Sequence, residues 1–206
     1  MRVAAPKRRG SEVAAPKRRG SEVAAPKRRG SEVAAPKRRA SEVASQVALL
    51  LDLLDESYEK KAWQGPNLRG ALRGVTAKQA AWRPGPRRHN VWELVLHAAY
   101  WKYATWRMLT GEKRGSFGET GSNFFERPGD RGVSEKAWRA DVARLDEHHR
   151  RLRAAVAGLR DARLRGKPPG SRYTTANLVY GIASHDVYHT GQIQVIKRLW
   201  RDRNLP

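Results

Sequence analysis

Four segments of the chain repeat apolar residues every three or four positions, and this periodicity restricts the fold more than any other feature. The segments cover residues 43–61, 91–110, 135–158 and 175–201. Such spacing places the apolar side chains on one face of an α-helix, and that face must be buried against another element. No segment alternates with a period of two for long enough to predict a sheet. The pattern therefore predicts an all-α fold, a four-helix bundle.

Local signals mark the ends of these helices and the links between them. Asn90 and Gly111 bound the second helix, and Thr174 or Thr175 caps the fourth. The links at 62–90 and 111–134 are long, and the first holds two short helical candidates, at 67–73 and 77–82. Links of this length predict crossover connections rather than tight hairpins. The predicted inward stripe of the second helix consists of Leu94, His97, Trp101, Ala104 and Met108.

Residues 1–42 form a separate basic segment. Residues 3–42 repeat the sequence VAAPKRRGSE with a period of ten, the fourth copy having Ala40 in place of glycine, and each copy has a proline and little apolar bulk. Because such a segment cannot bury enough apolar surface to offset its chain entropy, we expect a disordered tail before a bundle domain at 43–206. The Lys-Arg-Arg clusters favour non-specific contact with nucleic acid. Tandem duplication of a short coding unit, tolerated at a terminus, explains the repeat without any function.

The amino-acid composition limits which residues can bind a metal and which partners are expected. The chain has 42 Lys and Arg against 20 Asp and Glu, a net charge of +22, and no Cys. The charge favours anionic partners, but a basic proteome or solvated helix faces explain it without a partner and are the preferred interpretation. Without cysteine, a metal must be held by His, Asp or Glu. No segment is apolar for the roughly 18 residues that span a bilayer, and no signal-peptide run is present, so we expect a cytoplasmic protein without membrane contact.

Histidines on the inward stripes are the main functional signal. His185 and His189 are spaced i, i+4 and project from one helix face, and His97 lies on the stripe of another helix. Any one of them alone is explained by a core histidine hydrogen-bonded to a carbonyl or hydroxyl. The three together favour a shared divalent metal with at least one coordination position left for water or substrate. Imidazole suits zinc, nickel, iron and copper, so the residues do not select the ion.

Three further residues are candidates for catalysis. Glu93 precedes His97 by one turn and fits a ligand-orienting acceptor or a general base, but its spacing from Asn90 equally fits a capping box. His149 fits a fourth ligand, a proton shuttle or a packed core residue. Gln192 lies on the same stripe as the histidine pair and can orient a ligand or a substrate.

Four short segments match the sequence pattern of a known family. They are NVWELVLHAAYW at 90–101, HDVYHTGQI at 185–193, AWQGPNL at 62–68 and AWRP at 81–84. Through them the chain resembles the DinB-like superfamily of metal-binding four-helix bundles over residues 45–202. The tail at 1–42 has no counterpart in that pattern.

The resemblance implies a divalent metal, zinc or nickel, on His97, His185 and His189, and it implies a homodimer. Some members use the metal to activate a low-molecular-weight thiol, which implies a small thiol or another small-molecule substrate. The expected function is that of a metal-dependent enzyme of thiol S-transferase or hydrolase type, with an open coordination site. The alternatives are a non-catalytic, metal-stabilised bundle and a nucleic-acid-associated protein acting through residues 1–42.

Overall fold

The computed structural model describes residues 45–115, 117–121, 123–129, 132–203 and 205. The tail predicted at 1–42 lies outside the described residues. Within them the chain is helical, which confirms the all-α prediction. No helix in these ranges combines the length and the apolarity needed to cross a bilayer. The elements are α1 (Gln46–Tyr58), α2 (Leu68–Ala71), α3 (Ala77–Ala81), α4 (Val91–Thr110), α5 (Glu135–Ala157), a 3-10 turn (Asp161–Arg163) and α6 (Thr175–Asp202).

Local hydrogen bonds explain where α4 and α6 begin and where α4 ends. The side-chain oxygen of Asn90 accepts a hydrogen bond from the amide of Glu93 at 2.8 Å, and so caps α4. Gly111 ends the helix in the left-handed region, with φ of 78°. Thr174 and Asn177 form a reciprocal capping box at the start of α6. These ends lie where the sequence predicts them.

A distant side chain sets the start of α1. The carboxylate of Asp161 accepts hydrogen bonds from the amides of Gln46 and Val47, each at 2.9 Å, and from the hydroxyl of Ser45 at 2.7 Å. These bonds lower the pKa of Asp161, the bond from Ser45 being the largest cause. The free amides at the helix N-terminus are thus satisfied by a residue more than a hundred positions away.

The four long helices close a ring in which α4 contacts α5, α5 contacts α1, α1 contacts α6, and α6 contacts α4. Trp92 near the start of α4 meets Trp138 near the start of α5, and Trp106 meets Arg151 farther along both helices. Because the residue numbers rise along both helices from the first contact to the second, α4 and α5 run parallel. The link at 111–134 must therefore cross the length of the bundle, as its length predicts.

The antiparallel contacts place α1 and α6 opposite in direction to α4 and α5. In α1 and α5, Asp55 pairs with Arg153 and Tyr58 stacks on His149, so residue numbers rise in one helix as they fall in the other. The same holds for α4 and α6, where Leu94 and Ile196 line one cleft and Thr105 and Leu178 line another. The bundle is therefore an up-down-down-up arrangement, and α4 and α6 face each other along the segments that carry the histidines.

The inward face of α4 differs in one position from the predicted stripe. Trp101 is 36% exposed, whereas its neighbour Lys102 is 0% exposed. Helix α4 packs against both α5 and α6, so its buried face is wider than a single stripe and includes position 102. The crossover link adds two buried aromatic side chains, Phe117 and Phe125, to the core around α4.

Candidate metal centre

The three predicted ligands meet between α4 and α6. His97 extends from α4, and His185 and His189 extend from one face of α6, one turn apart. The Nε2 atom of His185 lies 3.0 Å from the Nε2 atom of His97 and 3.0 Å from that of His189. The structure thus brings together three ring nitrogens from two helices, and this set is called the His triad below.

The outer nitrogens of two rings show which inner nitrogens carry lone pairs. Nδ1 of His97 lies 2.7 Å from the backbone oxygen of Asn123, and Nδ1 of His189 lies 2.6 Å from Oε1 of Gln192. Both oxygens only accept hydrogen bonds, so both Nδ1 atoms carry the proton and both Nε2 atoms are left as acceptors. Both lone pairs face Nε2 of His185, whose own Nδ1 is buried with no hydrogen-bond partner among the described residues.

This arrangement fits a shared cation better than hydrogen bonds between the rings. His185 can bring one Nε2 proton to the two lone pairs that face it, and that proton can fully satisfy one of them. A cation takes a lone pair from each ring. Nitrogens bound at about 2.0–2.1 Å to one ion lie about 3 Å apart or slightly more, close to the 3.0 Å that separates Nε2 of His185 from each of the other two. The donor set therefore fits a divalent metal.

Burial keeps the His triad neutral. It lowers the pKa of His97 to about 4 and that of His185 to about 3, and it also lowers the pKa of His189. A histidine with a pKa in this range is uncharged at neutral pH, which is the form that binds a metal. The rings therefore carry no positive charge that would repel an ion.

The crossover link between α4 and α5 completes one wall of the centre. The Phe124 ring stacks on the His97 ring, with centroids 4.0 Å apart and an interplanar angle of 11°. Asn123 contributes twice, since its backbone oxygen binds His97 and its side-chain oxygen accepts a hydrogen bond from Nε1 of Trp101 at 2.9 Å. No local signal in the sequence identifies the carbonyl of Asn123 as a partner of His97.

A cleft of about 800 Å³ opens beside the His triad. All three histidines line it, and its other walls include apolar side chains of α6 and the ring of Phe124. This volume lies within the usual range of about 300–1,000 Å³ for small-molecule sites. The triad is thus accessible from one side to a small ligand.

Glu93 is directed towards the loop before α4. Its carboxylate accepts two hydrogen bonds from the Arg83 guanidinium, one of them at 3.0 Å. It also accepts from Nδ1 of His89 at 2.9 Å and from the amide of Arg127 at 3.3 Å. Burial acts to raise the pKa of Glu93, but these bonds lower it below its usual value. Of the capping box predicted with Asn90, the structure shows one hydrogen bond, which the amide of Glu93 donates to the side-chain oxygen of Asn90. The contacts of this carboxylate hold the loop to α4.

His149 lies apart from the His triad, in the core beside α1. It is 1% exposed, its ring stacks on Tyr58 at 3.7 Å, and its Nδ1 lies 3.3 Å from Nζ of Lys102. Burial lowers its pKa to about 3. Of the three roles that the sequence left open, these contacts correspond to the packed core residue.

His149 also belongs to a second group of metal-ligating residue types, with Asp55 and Glu59. The carboxylate of Asp55 already accepts two hydrogen bonds from Arg153, at 2.6 and 2.8 Å, and pairs with Lys60 at 2.7 Å. Because two cations neutralise this carboxylate, its ion pairs account for the group without a metal.

Gln192 contacts the His triad and the cleft together. Its Oε1 accepts from Nδ1 of His189 at 2.6 Å, its Nε2 donates to the hydroxyl of Tyr188 at 3.2 Å, and both residues line the cleft. This hydrogen bond fixes the ring orientation of His189, and the ligand-orienting role of Gln192 stays a prediction.

Sequence reasoning missed an ion pair beneath the His triad. Lys102 and Asp186 are both fully buried and form a salt bridge between α4 and α6. The ammonium group also lies 4.6 Å from the centroid of the Tyr58 ring. Burial lowers the pKa of Lys102 and raises that of Asp186, and the attraction between them opposes both shifts. The available signal was a Lys inside an otherwise apolar helix and an Asp within the HDVYH segment.

Comparison with known proteins places this geometry in a family. A sequence profile of the DinB superfamily matches residues 60–193, which include all three triad histidines. Searches of curated proteins and of solved structures found no significant match. Because the profile covers more than half of the chain, the protein belongs to the DinB superfamily.

Proposed function

We propose that this protein is a metal-dependent enzyme whose His97, His185 and His189 hold a divalent ion, zinc or nickel, with a coordination position open to the cleft. The observation that supports the proposal most directly is the convergence of three neutral imidazoles, two with their lone pairs fixed inward, at the wall of a cleft of about 800 Å³. Three histidine ligands with a free position are typical of catalytic rather than structural zinc.

When bound, such an ion lowers the pKa of a coordinated water or thiol and polarises a coordinated oxygen. The residues of the chain provide the setting for this chemistry. The carbonyl of Asn123 and the amide of Gln192 hold the His97 and His189 rings in the ligating tautomer. Phe124 covers the His97 ring on one face and limits access by water. This setting supports transfer to or from a small thiol, or hydrolysis, as the reaction class.

Metal analysis of the purified full chain tests the site. We expect about one equivalent of zinc or nickel in the wild type and none in the His185→Ala, His189→Ala double variant. His148→Gln is the matched control, because it removes an imidazole that does not line the cleft and should keep the metal. A wild-type metal content no higher than that of the double variant would end the proposal.

A non-catalytic, metal-stabilised bundle is the second candidate. The His triad joins α4 to α6, so a bound ion would stabilise the folded state by mass action alone. The visible spectrum of the cobalt-substituted protein separates the two candidates. A small thiol that enters the coordination sphere produces a thiolate-to-cobalt band and supports the enzyme, whereas an unchanged spectrum at saturating thiol supports the structural role.

A further inference from the structure

The cleft beside the His triad has an uneven distribution of charge. Arg87 and Arg88 line it and are both exposed, and the described residues that line it include no Asp or Glu. The remaining lining side chains are apolar, uncharged polar or histidine. The charged side chains that line the cleft are therefore positive, and Glu93 and Glu126 line a neighbouring pocket together with the same two arginines.

These two arginines differ from others that lie close to the core. Arg83 is paired with Glu93, and Arg153 is paired with Asp55. Neither Arg87 nor Arg88 forms an ion pair with a carboxylate of the described part of the chain. Their guanidinium groups are thus available to an external anion, and the fork of donors on each matches the two oxygens of a carboxylate.

The backbone of the loop that carries them is held in place. The Arg83 guanidinium donates a hydrogen bond to the carbonyl of Arg88 at 2.8 Å while it is paired with Glu93 of α4. The amide of Arg88 donates to the carbonyl of Gly85 at 3.3 Å. The loop is therefore fixed to the helix that carries His97, and the two arginines keep their position relative to the triad.

The same cleft also has an apolar surface. Phe124, Val195 and Leu199 line the cleft, and the last two are exposed although apolar. A ligand that reaches from the triad to the arginines would cover these side chains and remove their apolar surface from water.

We propose that the substrate of this site is a small carboxylic acid. Its donor atom meets the ion on the His triad, its hydrocarbon part covers Phe124, Val195 and Leu199, and its carboxylate pairs with Arg87 and Arg88. The inference rests on the proposed function, since it assumes an ion with an open position.

The test compares two thiols with the same chain on the cobalt-loaded full-length protein. Mercaptohexanoate carries a carboxylate, and mercaptohexanol carries a hydroxyl in its place. The thiolate-to-cobalt band reports only binding at the metal, so anions bound elsewhere on this basic chain are silent. We expect mercaptohexanoate to bind about tenfold more tightly than mercaptohexanol, as two charge-assisted contacts at a partly exposed site allow. This preference should fall as salt rises, because exposed arginines are screened.

The variant Arg87→Gln, Arg88→Gln should remove the preference and leave mercaptohexanol binding and cobalt content unchanged. Arg160→Gln, Arg165→Gln is the matched control, since it removes two exposed arginines that do not line the cleft and should keep the preference. Equal binding of both thiols to the wild type, or a preference that survives in the Arg87, Arg88 variant, would overturn the carboxylate inference alone. A spectrum that neither thiol changes would overturn the open metal site as well.

Discussion

The buried ion pair between Lys102 and Asp186 yields the sharpest prediction about stability. Both side chains are 0% exposed, and Oδ1 of Asp186 has no hydrogen-bond partner within the described ranges. Lys102→Met keeps the length of the side chain and removes its charge. The carboxylate of Asp186 would then be buried without a counter-charge, and the neutral His149, which lies 3.3 Å from the ammonium group in the wild type, cannot replace that charge.

The magnitude follows from the completeness of burial. Removing one partner of a buried ion pair costs about 3–5 kcal/mol, a large part of the 5–15 kcal/mol by which a typical domain is stable. For a domain of this size the loss corresponds to a decrease in Tm of roughly 6–20 °C. Replacing both partners, as in Lys102→Met, Asp186→Leu, should restore most of the stability because no unpaired charge is left.

Urea unfolding of the metal-free protein, followed by circular dichroism, measures these changes without the contribution of a bound ion. Lys136→Met, an exposed position on α5, is the matched control and should change the free energy of unfolding by less than about 0.5 kcal/mol. A Lys102→Met variant as stable as this control, or a double variant less stable than both single variants, would refute the reasoning.

The pH dependence of the Lys102→Met variant provides a second signature. Burial already raises the pKa of Asp186, and loss of the ammonium group removes an interaction that lowers it. A carboxyl whose folded pKa exceeds its unfolded value destabilises the fold when ionised, and this penalty shrinks as pH falls. The stability deficit of the variant relative to the wild type should therefore decrease on acidification. A deficit that is constant with pH would show that Asp186 is not the source.

Three further predictions concern the centre, the acid response and the assembly. Gln192→Leu leaves Nδ1 of His189 without its acceptor, so metal affinity measured by competition with a chelator should fall about 10–100-fold; an unchanged affinity would exclude the orienting role. The hydrogen bonds from Arg153 are the largest cause that lowers the pKa of Asp55, to about 2 from a usual value of 3.8. The resulting stability is present above about pH 4 and lost as pH falls towards 2, so Asp55→Asn should flatten the acid branch of the stability curve, and parallel curves would contradict this assignment. The homodimer stays a prediction, and a monomeric mass in light scattering would contradict it.

Much of the architecture could be predicted because its causes are local. The apolar periodicity, the caps at Asn90 and Thr174 and the glycine at 111 act within a few residues, so the bounds of α4 match the sequence prediction. Helix α1 is different, because its predicted range was 43–61 while the helix ends at Tyr58 and its start is capped by Asp161 from across the fold. A contact between residues so distant in sequence has no local signature.

The residues of the candidate centre also fall into those that the sequence predicts and those that only the fold brings together. The i, i+4 spacing of His185 and His189 fixes their shared helix face, and the apolar stripe of α4 directs His97 inward. The carbonyl of Asn123 and the ring of Phe124 reach the centre only because the crossover link passes over it. Glu93 precedes His97 by one turn, yet its carboxylate is taken up by Arg83 and His89, which the spacing alone does not reveal.

The sequence by itself thus determined the helices, the absence of cysteine chemistry and the three imidazoles, since these depend on composition and on spacing along one helix. The tertiary structure alone decided the parallel course of α4 and α5, the pairing of Lys102 with Asp186 and the placement of Arg87 and Arg88 in the wall of the cleft. The physical reason is the separation along the sequence between the residues that interact. Hydrogen bonds of helices and caps form between near neighbours, whereas charge pairing and cleft walls depend on which helices pack together once the apolar faces are buried.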